Sequence, residues 1–150
     1  MTPEDFTAYL HEHIPLTAAC ALRVTVIAPG EIRLLAPLQA NRNHRGTAFG
    51  GSLSTAAIVS GWAVLNLALR EAQLPSRLVI QKSECEYLES VDADFAVESR
   101  LPDADEWARF LKTLKKRGKA RIVVNSRISI GGRPLVTAVN HYVALHEKQT

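Results

Sequence analysis

Between Gly50 and Leu69 no residue carries a charge, although Ser52, Ser54, Thr55, Ser60 and Asn66 interrupt an otherwise apolar run through Trp62. A helix of this kind has no polar face to offer water, so the spacing predicts one buried nearly all round and covered by the rest of the chain. The run is entered through Asn41-Arg42-Asn43-His44-Arg45-Gly46-Thr47-Ala48-Phe49-Gly50-Gly51-Ser52-Leu53, a polar loop that ends on two glycines. The first backbone N–H groups of a helix lack an internal partner and carry the positive end of its dipole. With glycine at positions 50 and 51 no side chain shields those donors, and an oxygen that gains negative charge during a reaction would be held there.

The rest of the chain supplies the cover. Its 150 residues and 47% hydrophobic content suit one domain, residues 1–150, with a true core. The uncharged run approaches membrane-span length, but its hydroxyls, amide and glycines dilute it, and the strands on either side need a helix to cover them. Met1-Thr2-Pro3-Glu4-Asp5 lacks the basic start and apolar centre of a signal peptide. Cys20 and Cys85 are too few for a disulfide framework and are not spaced as metal ligands, so free thiols, a cytoplasmic setting and no metal are expected.

Thr2 can cap a first helix with Pro3 at its first position and an apolar stripe of Phe6, Tyr9, Leu10 and Ile14, ended by Pro15. Alternation from Ala19 to Ala28, with Cys20, Leu22, Val24 and Val26 on one face, then Pro29-Gly30 and Ile32 to Ala36, predicts a hairpin. After the long helix, which stops before Pro75, extended stretches are expected at 77–89, 93–101, 120–130 and 135–146. Ile122, Val124, Ser126, Ile128 and Ile130 share a face in the third, and Leu135, Val139, Val143 and Leu145 in the last. Between residues 101 and 120 a short helix is signalled by Asp103 and Glu106 as a capping box, a stripe of Trp107, Phe110, Leu111 and Leu114, and Gly118 as its stop. One antiparallel sheet wrapped around one long helix, an α+β architecture, is the economical packing.

The loop N-x-N-x-x-G-x-x-F-G-G, set between a hairpin and a buried helix followed by long strands, resembles the hotdog fold of acyl-thioester enzymes. It is similar to the D-x-N-x-x-G-x-x-F-G-G motif of acyl-CoA hydrolases, matched at Asn43, Gly46, Phe49, Gly50 and Gly51. It looks closest to the YiiD carboxy-terminal type of thioesterase-like domain. The resemblance implies a hotdog thioesterase fold, a homodimer or higher even assembly with active sites between chains, and an acyl thioester of coenzyme A or acyl carrier protein as substrate. Coenzyme A or phosphopantetheine then enters as part of the substrate, and no separate cofactor is required. Gly46, Thr47, Phe49 and Ser52 of the motif become substrate contacts beside the Gly50 and Gly51 amides.

Hydrolysis also needs a water that loses a proton as it attacks. At position 41 an amide stands where the hydrolase motif has a carboxylate, and an amide can orient water but cannot take its proton. The helix acid of related hotdog thioesterases falls at about Ile58, so that route is closed as well. His44, Glu84, Glu86 or a neighbouring subunit are left as sources of a base. If position 41 holds the attacking water, Asn41→Asp should raise hydrolysis. Decarboxylation of a malonyl thioester, an activity associated with the YiiD-type family, forms an enolate at the same carbonyl without prior deprotonation, and Asn41 and Asn43 suit it as neutral donors. A non-catalytic acyl-thioester-binding protein would keep the pocket without turnover.

Net charge is +3 at a sequence pI near 9.1, and the charge is unevenly spread. Lys112, Lys115, Lys116, Arg117, Lys119 and Arg121 crowd one stretch without an acid among them, a group suited to the phosphates of coenzyme A or the acidic surface of a carrier protein. No aromatic residues are interleaved for base stacking, so nucleic acid is a poor partner, and no membrane partner is expected. The acyl group is expected among Leu53, Ala57 and Trp62 and the strand that bears Tyr87.

Overall fold

The computed structural model describes residues 1–147. Helix α1 (Pro3–His13) starts on the expected box, with Thr2 Oγ1 accepting from the Asp5 amide and the Asp5 carboxylate accepting from the Thr2 amide. Pro15 does not only end it. Proline is as well suited to the first position of a helix as to the place after one, and here it opens a second short helix, α2 (Pro15–Ala19). Strand β1 is therefore shorter than the alternation suggested, Arg23–Ala28, and pairs with β2 (Glu31–Ala36). Its register shifts between Val24 and Val26, so Val24 is buried while Val26, expected on the same face, is turned out to solvent. α1 is pinned to β1 through Thr7, whose hydroxyl accepts from the Val24 amide at 2.9 Å and donates to the Pro3 carbonyl.

Six strands form one antiparallel sheet in the order β1-β2-β4-β5-β6-β3, completed by β3 (Arg77–Tyr87), β4 (Phe95–Arg100), β5 (Lys119–Ile130) and β6 (Arg133–Leu145). Helix α3 (Gly50–Glu71) lies across β2 to β6 and buries Leu53, Ala56, Ala57, Val59, Ala63, Val64, Leu65 and Leu69. This is the hotdog architecture, a sheet wrapped around one central helix. Although α3 is long and apolar enough to cross a membrane, here it is the core helix of the sheet. It is not buried all round: Thr55, Ile58, Trp62 and Asn66 form a half-exposed stripe at helical spacing. The sheet ends at β3, an eleven-residue edge strand that among the described residues pairs only with β6 and exposes Val79, Ile80 and Tyr87.

Helix α4 (Ala104–Arg117) sits between β4 and β5 and packs on β5. Asp103 caps it by accepting from the Glu106 amide at 2.9 Å, and Gly118 ends it in the left-handed conformation at φ 72°. Pairing with β4 reaches only Ser126 to Ser129 of β5, and α4, burying Phe110 and Leu114, covers the stretch that β4 leaves. On β5 the expected face is the buried one. On β6 both rows are buried in part: Val136, Ala138, Asn140, Tyr142 and Ala144 form an unbroken buried row, whereas of the expected row Leu135 and Val143 are buried, Leu145 is half-buried and Val139 is exposed. Apolar residues occur on both faces of this strand, and the polar Asn140 is buried because it has partners there.

Candidate active site

The loop before α3 is a narrow hairpin fixed by side chains. Asn43 is its hub: its Oδ1 accepts from the amides of Arg45 and Thr47 at 2.8 and 3.2 Å, its Nδ2 donates to Thr47 Oγ1 at 2.8 Å, and its own amide donates to the Thr47 carbonyl. Gly46 takes φ 81° at the tip, which a side chain would strain. His44 stands exposed there, without a hydrogen-bond partner among the described residues. The Ala48 amide donates to the Val91 carbonyl and the Phe49 amide to the Asn41 carbonyl at 2.7 Å, tying the loop down immediately before the helix.

Asn41 does not face the loop's mouth. It is 3% exposed, and its Nδ2 donates to the carbonyls of Cys20 and Pro37 at 2.9 and 2.8 Å. Both amide hydrogens are committed, so the expectation that Asn41 hands a hydrogen to water or to a substrate carboxylate is corrected: it ties the loop to the turn after α2. A carboxylate at that position would meet two carbonyl oxygens, which removes the basis for expecting faster hydrolysis from Asn41→Asp.

Phe49 is the N-cap of α3 and offers no side-chain acceptor. The Ser52 and Leu53 amides close onto the Phe49 carbonyl at 2.9 and 3.1 Å, whereas the Gly50 and Gly51 amides ahead of them have no acceptor among the described residues. Gly51 is exposed, Gly50 and Ser52 half-exposed. A Cβ at Gly51 would stand 2.5 Å from the Phe49 ring, so the ring lies over a position only glycine fills without displacing it. On the other side the Tyr87 ring borders Gly50, and its hydroxyl donates to the Gly50 carbonyl at 3.1 Å. Burial, and after it the neighbouring Cys85, pushes the Tyr87 phenol above its ordinary value, so it remains a donor.

Side chains alternate along β3, and the face that reaches α3 carries Ser83, Cys85 and Tyr87. Glu84 and Glu86 point to the other face, where Glu84 pairs with Lys82 at 2.8 Å. That placement removes both as bases for a reaction at Gly50 and Gly51. Cys85 is half-buried and Cys20 buried, both as free thiols. Leu53 and Ala57, expected to line an acyl pocket, are sealed in the core at 3% and 1% exposure, while Trp62 lies on the open stripe.

One polar group escaped the sequence reading. Ser60, Ser99, Ser126 and Asn140 are all buried and form a closed network around the Ala57 carbonyl, which accepts from Ser60 and Ser126 at 3.0 Å and from Asn140 at 3.3 Å. Ser99 bridges Ser60 and Ser126 at 2.7 and 2.6 Å, and Asn140 Oδ1 receives the Ser83 hydroxyl at 2.7 Å. The sequence signals were scattered, Ser60 in the buried helix and Ser126 on the buried face of β5, because the four side chains are contributed by four separate elements.

The basic group lies at the other end of the molecule. Lys119 pairs in register with Leu145, and Leu145 with Arg77, the first residue of β3, whereas Gly50 touches Tyr87, the last. Lys116 and Arg117 belong to the final turn of α4. Arg121 lies in a cavity with Gln81, Arg109, Thr113 and His141. About 33 Å of strand separates the two ends of β3.

The chain is similar over its whole length to solved structures. A protein of unknown function from Chlorobaculum tepidum TLS is 26% identical, with a TM-score of 0.88 over 97% of this chain and 98% of that one. The putative thioesterase from Shewanella oneidensis is 23% identical, with a TM-score of 0.84 over 95% and 96%. A probable thioesterase of unknown function from Pseudomonas aeruginosa is 24% identical, with a TM-score of 0.83 over 97% of each chain. These likenesses agree on the fold, and residues 4–146 match the model of one family. A pair of bare helix amides behind an asparagine-braced loop, carried on this fold, belongs to a chain of the YiiD carboxy-terminal family, whose description is putative thioesterase.

Proposed function

We propose that the chain hydrolyses an acyl thioester of coenzyme A or acyl carrier protein at a site completed by a second copy of itself. The observation that carries this reading is the pair of amides at Gly50 and Gly51, unpartnered among the described residues, at an exposed helix start beside Tyr87. Two such donors stabilise the oxyanion of a tetrahedral intermediate more than the ground-state carbonyl, the requirement for lowering the barrier. Asn43 has one amide hydrogen left after bracing the loop and would orient the attacking water, whose proton passes to His44 of the same loop or to a group of the second copy. Thr47 and Phe49 shape the approach, and the open stripe of α3 takes the acyl group.

The unpaired edge of β3 and the half-exposed stripe beside it support a homodimer or a higher even assembly. Edge-to-edge pairing would satisfy the strand and close a pocket over Ile58 and Trp62. The reaction needs no metal or cofactor beyond the coenzyme A or phosphopantetheine of the substrate.

A second reading, decarboxylation of a malonyl thioester, is favoured by one observation. The neighbours of Gly50 and Gly51 are the rings of Tyr87 and Phe49, with Glu84 and Glu86 on the opposite face of β3 and His44 the only candidate base in the loop. Loss of carbon dioxide needs the same oxyanion support and no base, provided the carboxylate is held out of the thioester plane.

Incubation of the protein with acyl-CoA, acyl carrier protein and malonyl thioesters, with free thiol and carbon dioxide recorded separately, tests both. Thiol release is the expected result. Carbon dioxide with the thioester intact would transfer the assignment to the second reading, and tight binding without either product would make the protein a sensor. Asn43→Ala is expected to lower kcat about a hundredfold with a smaller change in KM, since its donor acts on the reacting atoms. An unchanged kcat in a folded variant would remove Asn43 from the site.

A further inference from the structure

Where β4 stops pairing, α4 takes its place beside β5, and a helix is about twice as thick as a strand. The mismatch leaves a trough beside the exposed rows of β5 and β6. Its first compartment is a cavity of about 340 Å³ that gathers Arg109 and Thr113 of α4, Arg121 of β5, His141 of β6 and Gln81 of β3. Gln81 arrives through an irregularity: β3 shifts register against β6 between Ile80 and Lys82, and a bulge re-aims the side chain that it inserts. The second compartment, of about 880 Å³, shares Val123 and Glu106 with the first and runs on over Val139 to Leu101 and Pro102. Both volumes lie in the range of small-molecule sites.

Charge is unevenly matched along this trough. In the second compartment Arg127 shares Glu98 with Arg33, Arg100 pairs with Glu31, and Asp103 accepts from the amide that it caps. In the first, the guanidinium groups of Arg109 and Arg121 have no hydrogen-bond or ion-pair partner among the described residues. Glu84, the carboxylate that feels His141, is held by Lys82. Glu106 is the single carboxylate lining the first compartment, against two arginines. A monoanionic head balances that set, whereas a phosphate would meet Glu106 with charge to spare.

Beyond the head the surface is apolar. Val123 and Val139 are 40% and 38% exposed and are diagonal neighbours across β5 and β6, since Val123 stands opposite His141 and Val139 opposite Asn125. About 20 Å of strand separates Arg121 from Arg127, where the Glu98 pair closes the path. A ligand charged at one end and aliphatic along its length matches both halves.

We propose that this trough binds a free aliphatic carboxylic acid, with its carboxylate between Arg109 and Arg121, Gln81 as a further donor, and its chain over Val123 and Val139. Guanidinium suits such a head because its paired N–H donors match the two carboxylate oxygens. The exposed row of β5 is turned away from the row whose Ser126 reaches α3, so the site is separate from Gly50 and Gly51. It does not rest on the thioester reading.

Equilibrium dialysis of the full chain against octanoate tests the site without requiring turnover. Saturable binding is expected, about tenfold or more tighter than that of acetate, which lacks the chain, or octanol, which lacks the charge. Arg109→Gln and Arg121→Gln should each weaken octanoate about tenfold or more, and Val123→Glu, which puts a carboxylate in the path at an exposed position, should abolish its binding. Arg23→Gln on β1 should leave it unchanged. Location is read by NMR: the ring signals of His141 should move with the same saturation, and those of His11 on α1 should stay still. No saturable binding, wild-type affinity in both arginine variants, or a stationary His141 signal at saturation would overturn the site. Tighter binding of octyl phosphate than of octanoate would overturn the choice of a carboxylate.

Discussion

Asn41→Asp is expected to lower the stability of the fold by about 3 kcal/mol at neutral pH, or roughly 6–12 °C in Tm, and to slow rather than quicken any thioester reaction. The side chain is 3% exposed and its two hydrogens are held by the Cys20 and Pro37 carbonyls. A carboxylate of the same shape has no hydrogen to give, lies against two oxygens and loses hydration on burial. Each cause raises the folded-state pKa of the new aspartate above its unfolded value of about 3.9. The ionisation part of the penalty is therefore absent below that value, where the group is protonated in both states and one of the two carbonyls is left unpaired, and grows as the pH rises. Thermal denaturation of both proteins from pH 4 to pH 8 checks this, since the gap in Tm should widen towards pH 8. A constant gap, or a variant as stable as the parent at pH 8, would mean that position 41 does not bear on those carbonyls.

Gly61→Ala should be comparably damaging, about 2–3 kcal/mol, although alanine is the better helix former by about 1 kcal/mol. A Cβ at this position would lie 2.4 Å from the Tyr142 hydroxyl oxygen and 3.0 Å from the ring carbon that bears it. Tyr142 cannot withdraw: it is 1% exposed, and its hydroxyl donates to the Ile58 carbonyl at 2.6 Å. Burial holds that phenol well above its ordinary pKa, so it stays a neutral donor throughout the physiological range. Combining Gly61→Ala with Tyr142→Phe removes the oxygen that collides, so the double variant should be destabilised by clearly less than the sum of the two single changes. Denaturant titration of the four proteins measures the coupling, and strict additivity would show that ring and glycine do not press on each other.

The chain announced much of this in advance, and the division follows the range of the interactions. The Thr2 cap, the Pro29-Gly30 turn, Asp103 and Gly118 act on neighbours within a few residues, so sequence alone located the elements they bound. Position 26 was misplaced because a bulge in β1 depends on its partner strand, and the second buried row of β6 was missed because Asn140 is polar until its partners on α3 and β5 are known. Asn41 is the sharper case. Its place in the motif suggested chemistry, whereas its function is set by carbonyls at residues 20 and 37 that no local pattern connects to it. The free amides of Gly50 and Gly51 were legible because they belong to the backbone, which the helix start dictates. The basic group was visible as composition, but its distance from the glycines is a matter of strand register.

A helix seated in a sheet by methyl groups alone could turn about its long axis at little cost, since apolar contacts have no preferred direction. The Ala57 carbonyl forbids this. Two donors from outside the helix, Ser126 of β5 and Asn140 of β6, converge on it, and a rotation of even a fraction of a turn would break both together inside a dry interior. The azimuth of α3 is thereby keyed from its buried side, two turns below the glycines, and the direction in which the exposed amides point is inherited from a cluster of hydroxyls that no substrate touches.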